Sequence, residues 1–223
     1  MHRRDTVPAL LVIGAGPGAT GQQMTPMMAL VALWTVFFVS WIVASVWASR
    51  TVSRSGFRSQ SPLYLGLLVA GLLLALANLW LPMMRQPLWQ SSADFGWAMV
   101  AVTVIGLAFC WWARLHLGSL WSAGVSRKEG HRVVDTGPYG IVRHPIYSGA
   151  ILGMFATAAF RARPNVIAMA LLLTLFFALK ALVEERFLRE ALGDAYDQYR
   201  QRVPMLVPFL KRRASSRQGH GDL

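Results

Sequence analysis

Two polar clusters at the ends of apolar segments hold the residues of this chain that are best suited to chemistry. The first is the run RHPIYSG at residues 143–149, directly before an apolar stretch, and the second is the acidic pair Glu184-Glu185. An arginine can pair with an anion and a carboxylate with an ammonium group, and carboxylates bordering a long apolar run are functional candidates. The alternative interpretation is an interfacial arginine with a His-Tyr pair, and solvated acids at the start of an amphipathic helix.

The first cluster stands where a helix is expected to begin. Gly137-Pro138 marks a turn, and Pro145 suits the first position of the following helix. The unpaired backbone N–H groups at such a helix start favour an anionic group. Arg143 and His144 add donors around the same point, and Tyr147 adds an aromatic face.

The composition indicates that these clusters stand on membrane helices. Of the 223 residues, 55% are apolar and 14% are charged, whereas soluble domains usually carry about 25% charged residues. Five apolar segments are long enough, or nearly so, to cross a hydrocarbon core of roughly 30 Å. They comprise residues 27–48, 62–84, 95–112, 147–160 and 165–183. We therefore expect an all-α integral membrane protein with about five transmembrane helices.

The last two apolar segments are expected to form a helical hairpin, because only Arg161-Ala162-Arg163-Pro164 separates them. The fourth segment, about 14 residues long, is marginal as an independent span. The hairpin returns Glu184 to the membrane face where Arg143 and His144 lie. The two clusters are then expected to meet in one site.

The distribution of basic residues predicts the orientation. The chain has 22 Lys+Arg against 10 Asp+Glu, and these basic residues flank the apolar runs, which is typical of membrane proteins rather than of a nucleic-acid-binding face. With five spans, most of them fall on the side that holds the central polar stretch and the C-terminus. The positive-inside rule places that side in the cytoplasm.

Metal binding and disulfides are not expected. Cys110 is the single cysteine and lies inside an apolar run, so no intrachain disulfide or cysteine metal cluster can form. The five histidines lack zinc-site spacing.

The chain divides into an N-terminal extension (1–23), N-terminal transmembrane helices (24–114), a core (115–210) and a basic disordered tail (211–223). In the extension, residues 14–18 resemble a dinucleotide-binding loop, but Pro17 interrupts it and an uncharged apolar segment follows, so a flexible extension is the preferred interpretation. After Val183 the pattern predicts a cytoplasmic amphipathic helix, with Glu185–Arg189 and Arg186–Glu190 spaced to pair, ended by Pro204 and Pro208.

These residues carry a resemblance to a known family. The chain resembles the isoprenylcysteine carboxyl methyltransferase family and its bacterial phospholipid-methyltransferase-like relatives from about Leu115 to Pro208. The motifs are Leu117-Gly118-x-x-Trp121-Ser122, Glu129-Gly130-His131, Gly137-Pro138-Tyr139, Arg143-His144-Pro145-x-Tyr147-x-Gly149, Glu184-Glu185-x-x-Leu188 and Gly193-x-x-Tyr196-x-x-Tyr199. The combination of the arginine-histidine motif with the acidic pair at this separation is specific, whereas either alone is weak.

The resemblance implies a membrane enzyme that uses S-adenosylmethionine, sited in the bacterial inner membrane. It implies catalytic roles for Arg143, between cofactor and acceptor, and for Glu185. The cofactor-binding residues that it implies are His131, Tyr139, His144, Pro145, Tyr147, Gly149, Glu184, Glu185 and Tyr196. Carboxylates can bind the methionyl ammonium group, Arg143 a carboxylate, and aromatic faces the sulfonium.

The acceptor is expected to be a lipophilic small molecule, a lipid or a prenylated molecule. A carboxylate acceptor needs no general base, because it is ionised near neutral pH. A phenol or amine needs one, and Glu185 or His131 is available for this role. Two other functions stay open: an NADPH-dependent membrane reductase similar to the sterol reductases, and a non-enzymatic membrane binding or transport protein. No inverted repeat is visible between the halves of the chain, which disfavours a transporter.

Overall fold

The computed structural model describes residues 24–44, 53–54, 65–67, 69–74, 76, 81–118, 126–127 and 133–210. Its helices are α1 (Pro26–Ala44), α2 (Ala93–Leu117), α3 (Pro138–Ile141), α4 (Pro145–Arg161), α5 (Pro164–Leu192) and α6 (Asp194–Arg202). A short apolar helical segment, Leu65–Leu74, and a 3₁₀ helix, Pro82–Arg85, lie between α1 and α2. Two two-residue strands, β1 (Ser53–Arg54) and β2 (Ser126–Arg127), pair antiparallel.

Three helices, α1, α2 and α5, are long and apolar enough to cross a membrane. The fourth predicted span is α4, which has 17 residues. Within the described residues, the prediction of an all-helical integral membrane protein is confirmed. The count of five spans stays a prediction, because the second predicted span is described only in part and ends in the 3₁₀ helix rather than as a continuous helix to Met84.

Helix α2 begins at a capped residue and runs further than the apolar pattern predicts. Ser92 Oγ accepts from the backbone N–H of Phe95 at 3.2 Å, which satisfies one of the free donors of the first turn. The apolar run predicted an end near Trp112, but the helix continues to Leu117. The buried Arg114 makes this extension feasible, since its guanidinium donates to the carbonyl of Ala44 at 2.8 Å and to that of Gly118 at 3.1 Å.

The predicted hairpin of α4 and α5 is confirmed. Both helices begin with a proline, Pro145 and Pro164, whose missing N–H costs nothing at that position. Ala162 joins them in the left-handed conformation with φ 51°, and its N–H donates to the carbonyl of Ala158 at 2.9 Å. This two-residue connection, Ala162-Arg163, makes the helices antiparallel neighbours.

Helix α4 packs most extensively against α2, and small residues allow the close approach. A Cβ atom added to Gly149 would lie 2.8 Å from Cys110 Sγ, so the backbones meet with no room for a side chain. Cys110 is fully buried there and its thiol donates to the carbonyl of Ile146 at 3.2 Å. This interface holds the start of α4, and therefore the first polar cluster, in a rigid position.

The predicted C-terminal helix differs from the observed one. No boundary separates the span from the amphipathic part at Val183, and α5 continues to Leu192. The chain then reverses at Gly193, with φ 56°, and α6 is a separate helix that ends before Pro204. The reversal brings Asp197 to Arg189, and their side chains pair at 2.8 Å. The predicted Glu185–Arg189 pair was therefore wrong, because Glu185 points into the protein and binds other arginines.

Candidate functional site

The hairpin brings the two polar clusters together. Arg143 and His144 precede α4, while Glu184 and Glu185 lie near the cytoplasmic end predicted for α5, and both pairs contact each other directly. The structure thus brings together two clusters that lie about 40 residues apart, and that they form one functional site stays a prediction. The functional roles assigned to them stay predictions.

Arg143 connects three elements through a single buried guanidinium. Its Nε and Nη2 atoms each lie 2.7 Å from Glu185 Oε1. Its Nη1 donates to the carbonyl of Arg200 at 3.1 Å and to the carbonyl of Val203. Through these contacts with protein groups Arg143 neutralises Glu185 and holds α6 in place, which differs from an arginine that faces an acceptor.

Glu184 differs from Glu185 in its surroundings. Its Oε1 accepts from the Tyr147 hydroxyl at 2.6 Å, and its Oε2 lies 3.5 Å from His144 Nδ1. The side chain of Glu184 is 20% exposed, against 5% for that of Glu185. Of the two carboxylates, Glu184 is therefore the one that a ligand can reach.

His144 is buried between the two carboxylates. Its Nε2 lies 3.4 Å from Glu185 Oε1, but the two are not aligned as a hydrogen bond, so this buried nitrogen has no hydrogen-bond partner among the described residues. Burial alone lowers the pKa of His144, but the close contacts with the negatively charged Glu184 and Glu185 outweigh burial and raise this pKa above its usual value. The two carboxylates thus favour the charged form of the imidazole.

Aromatic rings form a stack beside these charges. The rings of His144 and Tyr147 are parallel at 5.4 Å, and the Tyr147 ring stacks in turn on Phe177 at 5.0 Å. The ammonium group of Lys180 lies 5.4 Å from the centre of the Tyr147 ring, within cation–π distance. The stack provides apolar and π surface next to the exposed edge of Glu184.

The remaining predicted cofactor residues lie around this core. Tyr196 is buried with Tyr199 and Val203 in a small apolar cluster. The Tyr199 hydroxyl donates to the carbonyl of Tyr139 at 2.7 Å, which ties α6 to α3. Burial raises the pKa values of Tyr139, Tyr196 and Tyr199, so these phenols stay protonated at neutral pH.

Pro145 and Gly149 are both buried residues of α4, and Gly149 packs against α2. Helix packing therefore explains why these residue types stand at these positions. Their cofactor-binding roles stay predictions. His131 lies outside the described residues, as do the extension 1–23 and the tail 211–223. Within the described part of the chain, no three His, Cys, Asp or Glu side chains gather as a metal site requires.

Sequence reasoning missed a group of contacts made by the C-terminal strap, defined here as residues 203–206. The backbone N–H groups of Arg143 and His144 donate to the carbonyls of Pro204 and Met205 at 2.8 and 3.1 Å. The Ser148 hydroxyl donates to the carbonyl of Leu206 at 2.6 Å.

Arg200 was also missed, and its Nε donates to Glu185 Oε2 at 3.0 Å. Ser148 occupied a variable position of the motif, and backbone acceptors leave no sequence signal.

Comparison with known proteins shows a family to which this segment of the chain is similar. Residues 99–190 match the model of the isoprenylcysteine carboxyl methyltransferase (ICMT) family, a segment that contains both polar clusters. The match begins earlier than the resemblance at Leu115 and ends before α6 and the strap.

Relatives of two kinds are similar to this chain. Protein-S-isoprenylcysteine O-methyltransferase B of Arabidopsis thaliana is 39% identical over 87 residues, which cover 39% of this chain and 44% of that protein. Methanethiol S-methyltransferase 2 of Bradyrhizobium diazoefficiens is 34% identical over 163 residues, or 68% of this chain and 61% of that protein. The chain spans about half the length of the curated relatives that it matches.

The fold is also similar to a solved structure. The eukaryotic intramembrane Ras methyltransferase ICMT superposes with a TM-score of 0.57 at 20% identity, over 82% of this chain and 66% of that one. At this identity the likeness concerns the fold alone, and it confirms the integral membrane architecture. Residues 99–190 of the chain thus match the isoprenylcysteine carboxyl methyltransferase family model, the family that its paired motifs resemble.

Proposed function

We propose that this protein is an integral membrane methyltransferase that uses S-adenosylmethionine and methylates a lipophilic or small acceptor. The observation that carries the proposal is the meeting of the arginine-histidine motif with the acidic pair in one cluster at the end of α4 and α5. The methyltransferase names of the relatives support the same activity.

The residues of the cluster suit the proposed cofactor. Glu184 is partly exposed and is suited to accept from an ammonium group. The Nε2 of His144, which has no hydrogen-bond partner among the described residues, is suited to donate to a carboxylate. The aromatic stack that includes Tyr147 and Phe177 supplies π surface suited to a sulfonium. When bound, S-adenosylmethionine supplies an electrophilic methyl group. The protein contributes position and exclusion of water, which dominate catalysis in such a displacement.

The relatives suggest two classes of methyl acceptor, a small thiol and a prenylated carboxylate. One observation favours the small thiol. The match to the methanethiol methyltransferase extends over 68% of the chain, whereas the match to the isoprenylcysteine methyltransferase extends over 39%. A carboxylate is ionised near neutral pH and needs no general base, whereas an alkanethiol is mostly protonated there and has to lose its proton for the transfer. The longer match makes a small alkanethiol the first candidate and a prenylated carboxylate the second.

The proposed location is the bacterial inner membrane with the cluster on its cytoplasmic side. The excess of basic residues on the side of the cluster supports this orientation.

Equilibrium binding to detergent-purified protein tests the cofactor. We expect labelled S-adenosylmethionine to bind saturably and NADPH not to compete. Saturable NADPH binding without S-adenosylmethionine binding would favour the reductase alternative, and binding of neither would favour a non-enzymatic protein.

Transfer of labelled methyl groups tests the acceptor. Methanethiol, an S-prenylated cysteine with a free carboxylate, and phospholipid vesicles are offered separately at equal cofactor concentration. Methylation of the thiol with little transfer to the other two would support the first candidate. Transfer mainly to the prenylated cysteine would support the second.

A further inference from the structure

We propose that the two glutamates of the acidic pair have different roles. Glu184 faces the ligand, whereas Glu185 and its two arginine partners, Arg143 and Arg200, form a clamp that positions His144. This inference rests on the proposed function. It assigns a role to Arg200, which lies outside the segment that matches the family. It also removes Glu185 from the candidates for a general base.

The contacts of Glu185 occupy both of its oxygens. Oε1 accepts from Arg143 at 2.7 Å, and Oε2 accepts from Arg200 Nε at 3.0 Å. The carboxylate is buried between two guanidinium groups, with 5% of its side chain exposed. A carboxylate held in this way is stabilised in its ionised form, and both of its oxygens already accept from arginines. It is therefore poorly placed to accept a proton or to bind an ammonium group.

The contacts of Glu184 leave it available. Its Oε1 accepts one hydrogen bond, from Tyr147, and its Oε2 lies 3.5 Å from His144 Nδ1, beyond a normal hydrogen-bond length. Its side chain is four times as exposed as that of Glu185. The Tyr147 hydroxyl fixes the rotamer without occupying the second oxygen. Glu184 is thus oriented by the protein but open to a ligand.

Arg200 acts on this arrangement from α6. It binds Glu185 through Nε and Asp197 through Nη1, at 3.0 and 3.2 Å. Its own carbonyl accepts from Arg143. The clamp Arg143–Glu185–Arg200 therefore locks α6 and the strap against the start of α4, where the strap binds the backbone N–H of His144. Loss of Arg200 frees one oxygen of Glu185 and loosens the segment that sets the position of His144.

The test compares the affinity of purified, monodisperse variants for S-adenosylmethionine. We expect Glu184→Gln to weaken binding about ten- to a hundredfold, the loss of one charge-assisted contact. Arg200→Met should weaken it several-fold to about tenfold. Arg200→Lys should restore part of the affinity, because a lysine keeps the charge but cannot bind Glu185 and Asp197 with one rigid fork. A purely structural role of Arg200 would instead reduce the yield of folded protein and leave the affinity of the folded fraction unchanged.

Arg202→Met is the matched control. Arg202 lies on the same helix and makes one exposed ion pair, with Asp135 at 3.1 Å, so its loss removes the same charge without touching the clamp. Wild-type affinity in Glu184→Gln, or equal losses in Arg200→Met and Arg202→Met, would overturn the inference.

A double-mutant cycle separates this inference from the proposed function. Thermal stability is measured for Arg200→Met, Glu185→Gln and the double variant without any ligand. We expect the double variant to lose less stability than the sum of the two single losses, since both changes break the same pair. Additive losses would overturn the clamp. If the unmodified protein bound no S-adenosylmethionine, the proposed function would fail together with the role given to Glu184, and the cycle would still decide the clamp.

Discussion

His144 lies between the carboxylates of Glu184 and Glu185, with its two ring nitrogens 3.5 and 3.4 Å from them. Both carboxylates reach it from α5, while Arg143, its neighbour in sequence, neutralises Glu185. The imidazole is therefore stabilised in its charged form in spite of its burial. This residue makes the cluster sensitive to pH.

Stability is expected to fall as the pH rises through the raised pKa of His144. The pKa is higher in the folded than in the unfolded protein, so the contribution is complete below the unfolded value of about 6.5 and is lost above the folded pKa. Thermal unfolding of the wild type and of His144→Gln, followed from about pH 5.5 to about pH 9, measures this difference. The stability advantage of the wild type should shrink as the pH rises. Parallel curves for the two proteins would contradict the prediction.

Cys110 is a packing residue in this structure. It is fully buried against α4 and donates to a carbonyl at 3.2 Å. We expect Cys110→Ala to leave activity unchanged and to cost about 1 kcal/mol, from a small cavity and one weak hydrogen bond. Methyl transfer and thermal unfolding of the variant measure these effects. Complete inactivation would indicate covalent or redox chemistry at the thiol.

At the scale of elements, the contact between α2 and α4 determines where the first polar cluster stands. Gly106, Cys110 and Gly149 keep the two helices close, and the packing of small residues is typical of membrane helix pairs. The site depends on this contact because Arg143 and His144 lie directly before the first turn of α4.

Gly149→Ala is expected to destabilise the protein by about 1–3 kcal/mol, as is usual for overpacking. The added Cβ would meet Cys110 Sγ at 2.8 Å and the backbone nitrogen of Cys110 at 3.2 Å. Gly66→Ala is the control, because a Cβ there meets nothing within 4 Å. The midpoint of thermal unfolding should fall for the first variant only. Similar midpoints for Gly149→Ala and wild type would show that α2 and α4 can separate without cost.

At the scale of the whole molecule, α5 connects the hairpin turn to the site. Its 29 residues correspond to a length of about 43 Å, so its two ends can lie on opposite sides of a membrane. Residues near the turn and residues of α6 should then differ in their access to solvent on the two faces.

A matched pair of cysteine variants tests this topology. In a Cys110→Ala background, Gln86→Cys lies near the turn and Gln201→Cys lies on α6, and both glutamines are exposed. A membrane-impermeant thiol reagent should label Gln86→Cys in right-side-out vesicles and Gln201→Cys in inside-out vesicles. Labelling of both positions from one side would contradict the orientation proposed from the basic residues.

Several features of this protein follow from the sequence alone. Long uncharged runs predict membrane helices, because a chain in lipid must satisfy its backbone groups internally. The meeting of the two clusters was predictable for a geometric reason. The paths from residue 145 to 161 and from 164 to 184 are about 26 and 31 Å long at 1.5 Å per residue, and a tight turn joins them. Residues at the far ends of the two helices must therefore lie at nearly the same depth along the axis of the hairpin.

The partners of each charged side chain were decided by the tertiary structure. Spacing in sequence allowed Glu185 to pair with Arg189 one turn away, yet Glu185 binds Arg143 and Arg200, and Arg189 binds Asp197. The reversal at Gly193 and the rotation of α5 about its axis determine these choices. Neither can be read from periodicity, because both depend on how α6 and the strap pack against the start of α4. The sequence thus determined which residues meet, and the packing decided which of them bind each other and which stays open to a ligand.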